Sequence, residues 1–156
     1  SWSDAVKLPW GILLLFGGGM ALAKGFDSSG LAVWIGNQMN FFSDIPLIIL
    51  LLVLIAMVNF LTEITSNLAT TAMLLPVLVA LANTIDINAY YLLVGATVAA
   101  SCAFMLPVAT PPNAVVFGSK ILNIDDMIKK GFWMNIISIF ILTAAIYWIL
   151  PLIWGF

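Results

Sequence analysis

The fold turns on Leu106-Pro107-Val108-Ala109-Thr110-Pro111-Pro112-Asn113, which interrupts an apolar run from about Ala89 to Leu122. Without it that run would cross a bilayer as one helix. Three prolines within six residues remove backbone N–H donors and cannot all sit inside a helix. The helix must break, which leaves the carbonyls from about Leu106 to Ala109 without intrahelical donors. Irregular chain at membrane depth survives only where it lines a cavity within protein. Freed carbonyls ending one half-helix suit a cation. A second half-helix starting at Pro112 or Asn113 points its N-terminal N–H groups at an anion. A plain proline kink is the simpler alternative, and the double proline flanked by Thr110 and Asn113 argues against it.

Upstream, the run 45–85 is split by a second polar island, Thr62-Glu63-Ile64-Thr65-Ser66-Asn67-Leu68-Ala69-Thr70-Thr71. Its arms, 45–61 and 72–85, are about 17 and 14 residues long, and the second contains Pro76. A complete crossing takes roughly 20 residues, so the second arm is short for one. Two half-helices entering and leaving on one side would bring the island to mid-bilayer. A helix N-terminus at Ser66 or Asn67 would then offer free N–H groups and a positive dipole end to an anion. The neighbouring hydroxyl and amide oxygens suit a hard cation such as sodium. An ordinary hairpin with its turn at the membrane surface is the alternative, although the island lacks the Lys, Gly and Pro frequent in such turns. Glu63 is a carboxylate at this depth. It is read as a hydrogen-bonded acid that holds the tip in shape, ahead of a sodium-attracting or protonatable group.

Composition fits a bilayer protein. Hydrophobic residues make up 63% and charged residues 8%, with five basic and seven acidic side chains, whereas a soluble domain carries roughly 25% charge. Every acid except Glu63 lies near the end of an apolar run. No basic stripe for nucleic acid exists, histidine is absent, and Cys102 is the single cysteine. Disulfide frameworks, Cys-based metal clusters and enzyme chemistry built on a nucleophile–base pair are therefore excluded. Four units are expected: 1–43, a transmembrane helix with an interfacial amphipathic arm; 44–86, a re-entrant hairpin with its tip at 62–71; 88–122, a helix broken at 107–113; and 130–156, a last transmembrane helix. Lys120, Lys129 and Lys130 flank the loop before the last helix, which puts that loop in the cytoplasm and the C-terminus outside. Residue 1 is Ser and no secretory signal opens the chain, so a longer protein is expected.

The island 62–71 followed by Leu75-Pro76 resembles the second Ser-Asn-Thr motif of the divalent anion/sodium symporter family. Ala103-Phe104-Met105-Leu106-Pro107-Val108-Ala109-Thr110-Pro111-Pro112-Asn113-Ala114 closely resembles that family's C-terminal signature. Leu15-Phe16-Gly17-Gly18-Gly19 with Leu22-Ala23, and Ser29-Gly30-Leu31-Ala32, fit as well. The resemblance covers essentially the whole chain and corresponds to the C-terminal part of a family member. It implies an all-α membrane protein, half of an inverted-repeat ion transporter, with a re-entrant helical hairpin and a proline-broken helix. It further implies Na+ held by Thr62, Asn67 and the carbonyls of Thr65 and Ala109. Substrate would lie against Ser66, Asn67, Leu68, Thr110, Pro111 and Asn113. Leu68 stands where the motif has threonine, so one carboxylate-binding hydroxyl is missing.

The expected function is sodium-coupled symport of a small dicarboxylate such as succinate or malate by alternating access. The partners implied are the lipid bilayer of a plasma or bacterial inner membrane, the N-terminal repeat of the same transporter, and a second copy in a homodimer. Nucleic acid is not among them. A non-transporting assembly subunit, a channel, and a sulfate or citrate carrier of the same family remain as alternatives.

Overall fold

A computed structural model describes residues 45–156 without interruption, and before them only residues 2, 6, 10, 11, 14, 17, 18, 21, 24, 25, 28–31 and 34. Most of the expected helix and amphipathic arm of 1–43 lies outside the described residues. From residue 45 the chain is helical, with no strand among the described residues. In order come α1 (Leu47–Thr62), α2 (Asn67–Thr84), α3 (Ala89–Ala100), α4 (Pro111–Gly118) and α5 (Ile124–Ala144). A π-helical segment (Ala145–Ile149) then leads into α6 (Leu150–Trp154).

The starts of these helices follow from local chemistry. The Asn88 side chain caps α3 by accepting from the Tyr90 amide at 3.0 Å, and Thr110 caps α4 by accepting from the Asn113 amide at 3.4 Å. Pro111 and Pro112 occupy the first turn of α4, where the missing N–H groups have no intrahelical acceptor to lose. Asp125 and Asp126 lie in the first turn of α5, against the positive end of its dipole.

The hairpin arms α1 and α2 touch each other far less than each touches α3. On one side of this arrangement α5 packs along α1 and α3. Leu51, Ile55 and Val58 of α1 meet Leu92, Ala96 and Ala99 of α3 in the core. Small residues give α3 its close approach: a Cβ on Gly95 would lie 3.6 Å from Ile55 Cγ1. Lipid does not push helices together, so van der Waals fit between such faces holds them. The opposite face of α5 and α6 exposes Trp133, Ile137, Phe140, Ile141, Leu152 and Ile153, as a lipid-facing surface requires. Tyr90 packs edge-on against Trp154 with ring centroids 4.8 Å apart, and Tyr91 against Phe156 at 5.2 Å. The start of α3 and the end of the chain therefore lie at one level, in the kind of aromatic belt that marks a membrane interface. The protein is an all-α membrane protein.

Three boundaries and the regularity of the last helix differ from the sequence reading. Thr70 and Thr71 stay helical, the latter by donating its hydroxyl to the Asn67 carbonyl at 2.8 Å. The tip therefore shrinks to residues 63–66, and α2 runs 18 residues through Pro76. By length and apolarity α2 is sufficient for a complete crossing, as is Ile124–Trp154, so the second arm is not short. Next, α3 ends at Ala100 rather than near Leu106, because side chains of α1 take over the backbone groups beyond it. The last helix starts at Ile124, not 130, which puts Lys129 and Lys130 inside it. Finally, Pro151 cannot donate to a preceding carbonyl, and the π-helical turn just before it absorbs the mismatch.

Candidate functional site

Two interruptions of helical backbone meet here. Thr62 ends α1, fully buried, with its hydroxyl 2.9 Å from the Ala100 carbonyl and 2.5 Å from Asn67 Oδ1. With Asn67 Oδ1 turned toward it, one hydroxyl proton cannot serve both oxygens, so one of the three has no donor within this group. Thr65 donates to the Leu61 carbonyl at 2.8 Å and pairs with the Thr70 hydroxyl at 2.6 Å, which fixes the turn. Ser66 sits at the N-cap of α2 with extended backbone and makes no capping bond through its side chain. The first ladder bond of α2 runs from the Thr70 amide to the Ser66 carbonyl at 2.8 Å. Ahead of it, the N–H groups of 67–69 face out of the helix end. Ile64, Thr65, Ser66 and Leu68 are exposed.

The second interruption is the non-helical segment 101–110. Glu63, only 3% exposed, reaches into it from the hairpin tip. Its Oε1 accepts from the amides of Phe104 at 2.8 Å and Met105 at 2.9 Å, and its Oε2 from that of Leu106 at 3.0 Å. The Asn135 side-chain amide adds a fourth bond, to Oε1 at 2.7 Å. Carbonyls of the break are met from other directions. Asn59 Nδ2 donates to Cys102 O at 2.7 Å, and Asn113 Nδ2 donates to Ala103 O at 3.0 Å and Leu106 O at 3.1 Å. A carboxylate thus gathers three consecutive N–H groups while amides gather the carbonyls. These groups of the unwound chain are thereby satisfied within the protein.

The model of the sodium:sulfate symporter transmembrane region matches residues 1–154, both interruptions included. The chain belongs to this symporter family. Two similar relatives are the sodium-dependent dicarboxylate transporters SdcS of Staphylococcus saprophyticus and of Staphylococcus aureus strain MRSA252. Each is 47% identical over 154 residues, a match that takes in 99% of this chain and 30% of the relative. The chain therefore spans less than a third of the length of these curated relatives. Family and relatives alike are transporters by name, not enzymes, in agreement with the resemblance drawn from the two motifs.

Within this symporter chain the structure brings Thr62 and Asn67 into contact and puts Ser66, Leu68 and the start of α2 on the open side of the tip. Ala109, buried, donates its amide to Leu106 O at 3.1 Å, and Thr110 beside it is half-buried. Two details correct the sequence reading. The Leu106 carbonyl is not free, since the Ala109 amide and Asn113 Nδ2 both donate to it. The second half-helix begins at Pro111 rather than Pro112 or Asn113. Both Asn113 donors are spent on the break, so its side chain keeps only an acceptor oxygen for any ligand, the wrong polarity for a carboxylate. Glu63 is the hydrogen-bonded acid that the sequence favoured, but it holds the break as well as its own tip. Asn59, Asn135 and Ser138 went unrecognised in the sequence. Their signal was a buried amide or hydroxyl inside an otherwise apolar helix, which is costly in lipid and asks for a partner.

Proposed function

We propose that this chain supplies one half of the binding site of a sodium-coupled carrier for small dicarboxylates. The reading rests above all on the contact between the two interruptions: Glu63 at the hairpin tip takes the amides of Phe104, Met105 and Leu106 in the break, and Thr62 beside it meets both Asn67 and the Ala100 carbonyl. Sodium would be held by Thr62, Asn67 and the carbonyls of Thr65 and Ala109. It would supply positive charge to the crowded oxygens, and it binds before the anion, which would otherwise face those oxygens uncompensated. One substrate carboxylate would then meet the Ser66 hydroxyl, the Asn67 amide and the N–H groups at the start of α2, with Thr110 and Pro111 beside it. Asn113 acts by shaping the break. Leu68 contributes no hydroxyl, so the anion is held there through backbone groups alone.

The names of the relatives support dicarboxylate as cargo, while the family's name keeps sulfate as the competitor to exclude. The remaining site groups would come from the N-terminal repeat of the full protein, itself a homodimer. The hairpin would be re-entrant, and the site would change sides by alternating access across a plasma or bacterial inner membrane, with the C-terminus outside. The test uses the full-length protein in proteoliposomes. An inward sodium gradient should drive uptake of labelled succinate, and excess malate should suppress it more strongly than sulfate. Asn67→Ala and Thr110→Ala should each lower uptake at least about tenfold, the loss of one charged hydrogen bond or one ion ligand. Unchanged sodium dependence in both variants would end this reading.

A further inference from the structure

Behind the two interruptions lies a helix to which neither motif assigns any part in binding. Gly131 of α5 packs so tightly on the break that an added Cβ would come within 2.6 Å of Met105 Cα and closer still to the Phe104 carbonyl oxygen. One turn later, fully buried Asn135 donates to Glu63 Oε1, the same oxygen that takes the Phe104 and Met105 amides. Nearly another turn on, Ser138 Oγ lies 3.3 Å from Asn59 Nδ2, which also holds the Cys102 carbonyl. Positions 131, 135 and 138 share one helix face.

The amide orientations are fixed by these bonds, because turning Asn135 over would set its oxygen against the Glu63 carboxylate, and turning Asn59 over would set its oxygen against Cys102 O. As a consequence Asn59 Oδ1 and Asn135 Oδ1 are buried without a partner. Buried polar atoms are rarely left so, and an apolar residue would fill the same space without an orphan. These side chains are placed for the groups that their N–H donors hold.

We infer that the Gly131–Asn135 face of α5 is a positioning element of the sodium site. Through Glu63 and the amides of 104–106 it sets where the Ala109 carbonyl stands relative to Thr62 and Asn67. The inference builds on the function proposed above. It adds residues that touch neither ion nor anion and act through a carboxylate one shell away. Partners at that remove tune ion affinity strongly, since a cation's oxygen ligands must be held at set distances.

The experiment measures sodium dependence of succinate uptake, and KM for succinate at saturating sodium, in the full-length carrier carrying Gly131→Ala or Asn135→Ser. Each variant should raise the sodium concentration for half-maximal uptake about tenfold, while KM at saturating sodium stays within about twofold of the parent. Amide hydrogen exchange in 101–110 should quicken in both variants and slow again when sodium is added. A variant that makes less folded protein, with unaltered sodium dependence per folded molecule and unaltered exchange, would overturn the inference and leave a packing role. A parent carrier indifferent to sodium would instead overturn the proposed function, and this inference with it. Where Gly131→Ala does not fold, the Asn135→Ser response decides.

Discussion

Among the described residues, Glu63 gathers more hydrogen bonds than any other side chain. Four N–H donors converge on its two oxygens, three from consecutive backbone amides and one from Asn135. Glu63→Gln keeps the shape but turns one acceptor into a donor, which must then face N–H groups. At least one buried amide loses its partner, which costs about 1–3 kcal/mol. The thermal unfolding midpoint of the detergent-solubilised carrier should fall, and added sodium should recover part of the loss. An unchanged midpoint would mean that the break stands without the carboxylate. The site was legible in sequence at this scale wherever chemistry was concentrated. Thr62, Asn67 and Thr110 stood in polar islands, and the structure sets Thr62 against Asn67. Asn135 and Asn59 were not legible, because a single amide in an apolar run shows its purpose only when its partner 72 or 43 residues away is known.

At the level of elements, prolines told that a helix breaks without telling where. The break starts at residue 101, six residues before Pro107, because Thr62, Asn59 and Glu63 compete for backbone groups that a helix would otherwise use. Competition of that kind is tertiary and leaves no mark on local pattern. Among the described residues, the two glycines that face neighbouring helices or loops make the same point. Gly95 lies in an apolar stretch and Gly131 follows Lys129 and Lys130, yet neither setting tells what a Cβ would meet. A Cβ at Gly95 meets Ile55 and Leu51 side chains at 3.6 to 3.9 Å, ordinary contact, whereas one at Gly131 runs into backbone. Gly95→Ala should therefore stabilise the folded carrier by up to about 1 kcal/mol, the helix-propensity gain, with transport unaffected. The same change at Gly131 forfeits that gain to the clash. Thermal midpoints of the two variants should move in opposite directions, and a common direction would show that helix propensity alone governs both.

For the molecule as a whole, what is left uncovered matters more than what is packed. α4 has no buried residue, and its Val115, Val116 and Phe117 are exposed together with Ile64 and Leu68 at the hairpin tip. These surfaces flank the proposed site, and nothing among the described residues closes it from that side. An anion and a sodium ion bound there would remain open to water, which weakens every charge interaction that holds them. The chain also spans only 30% of the length of the relatives it matches. It follows that the chain alone, inserted into vesicles, should keep its helical circular-dichroism signal yet accumulate no succinate under a sodium gradient. Half a site can offer ligands, but it cannot alternate between two sides, since alternation needs a second body to move against. Sodium-driven uptake by the isolated chain would mean that copies of it complete the site for one another, and would replace the two-repeat carrier with an assembly of identical halves.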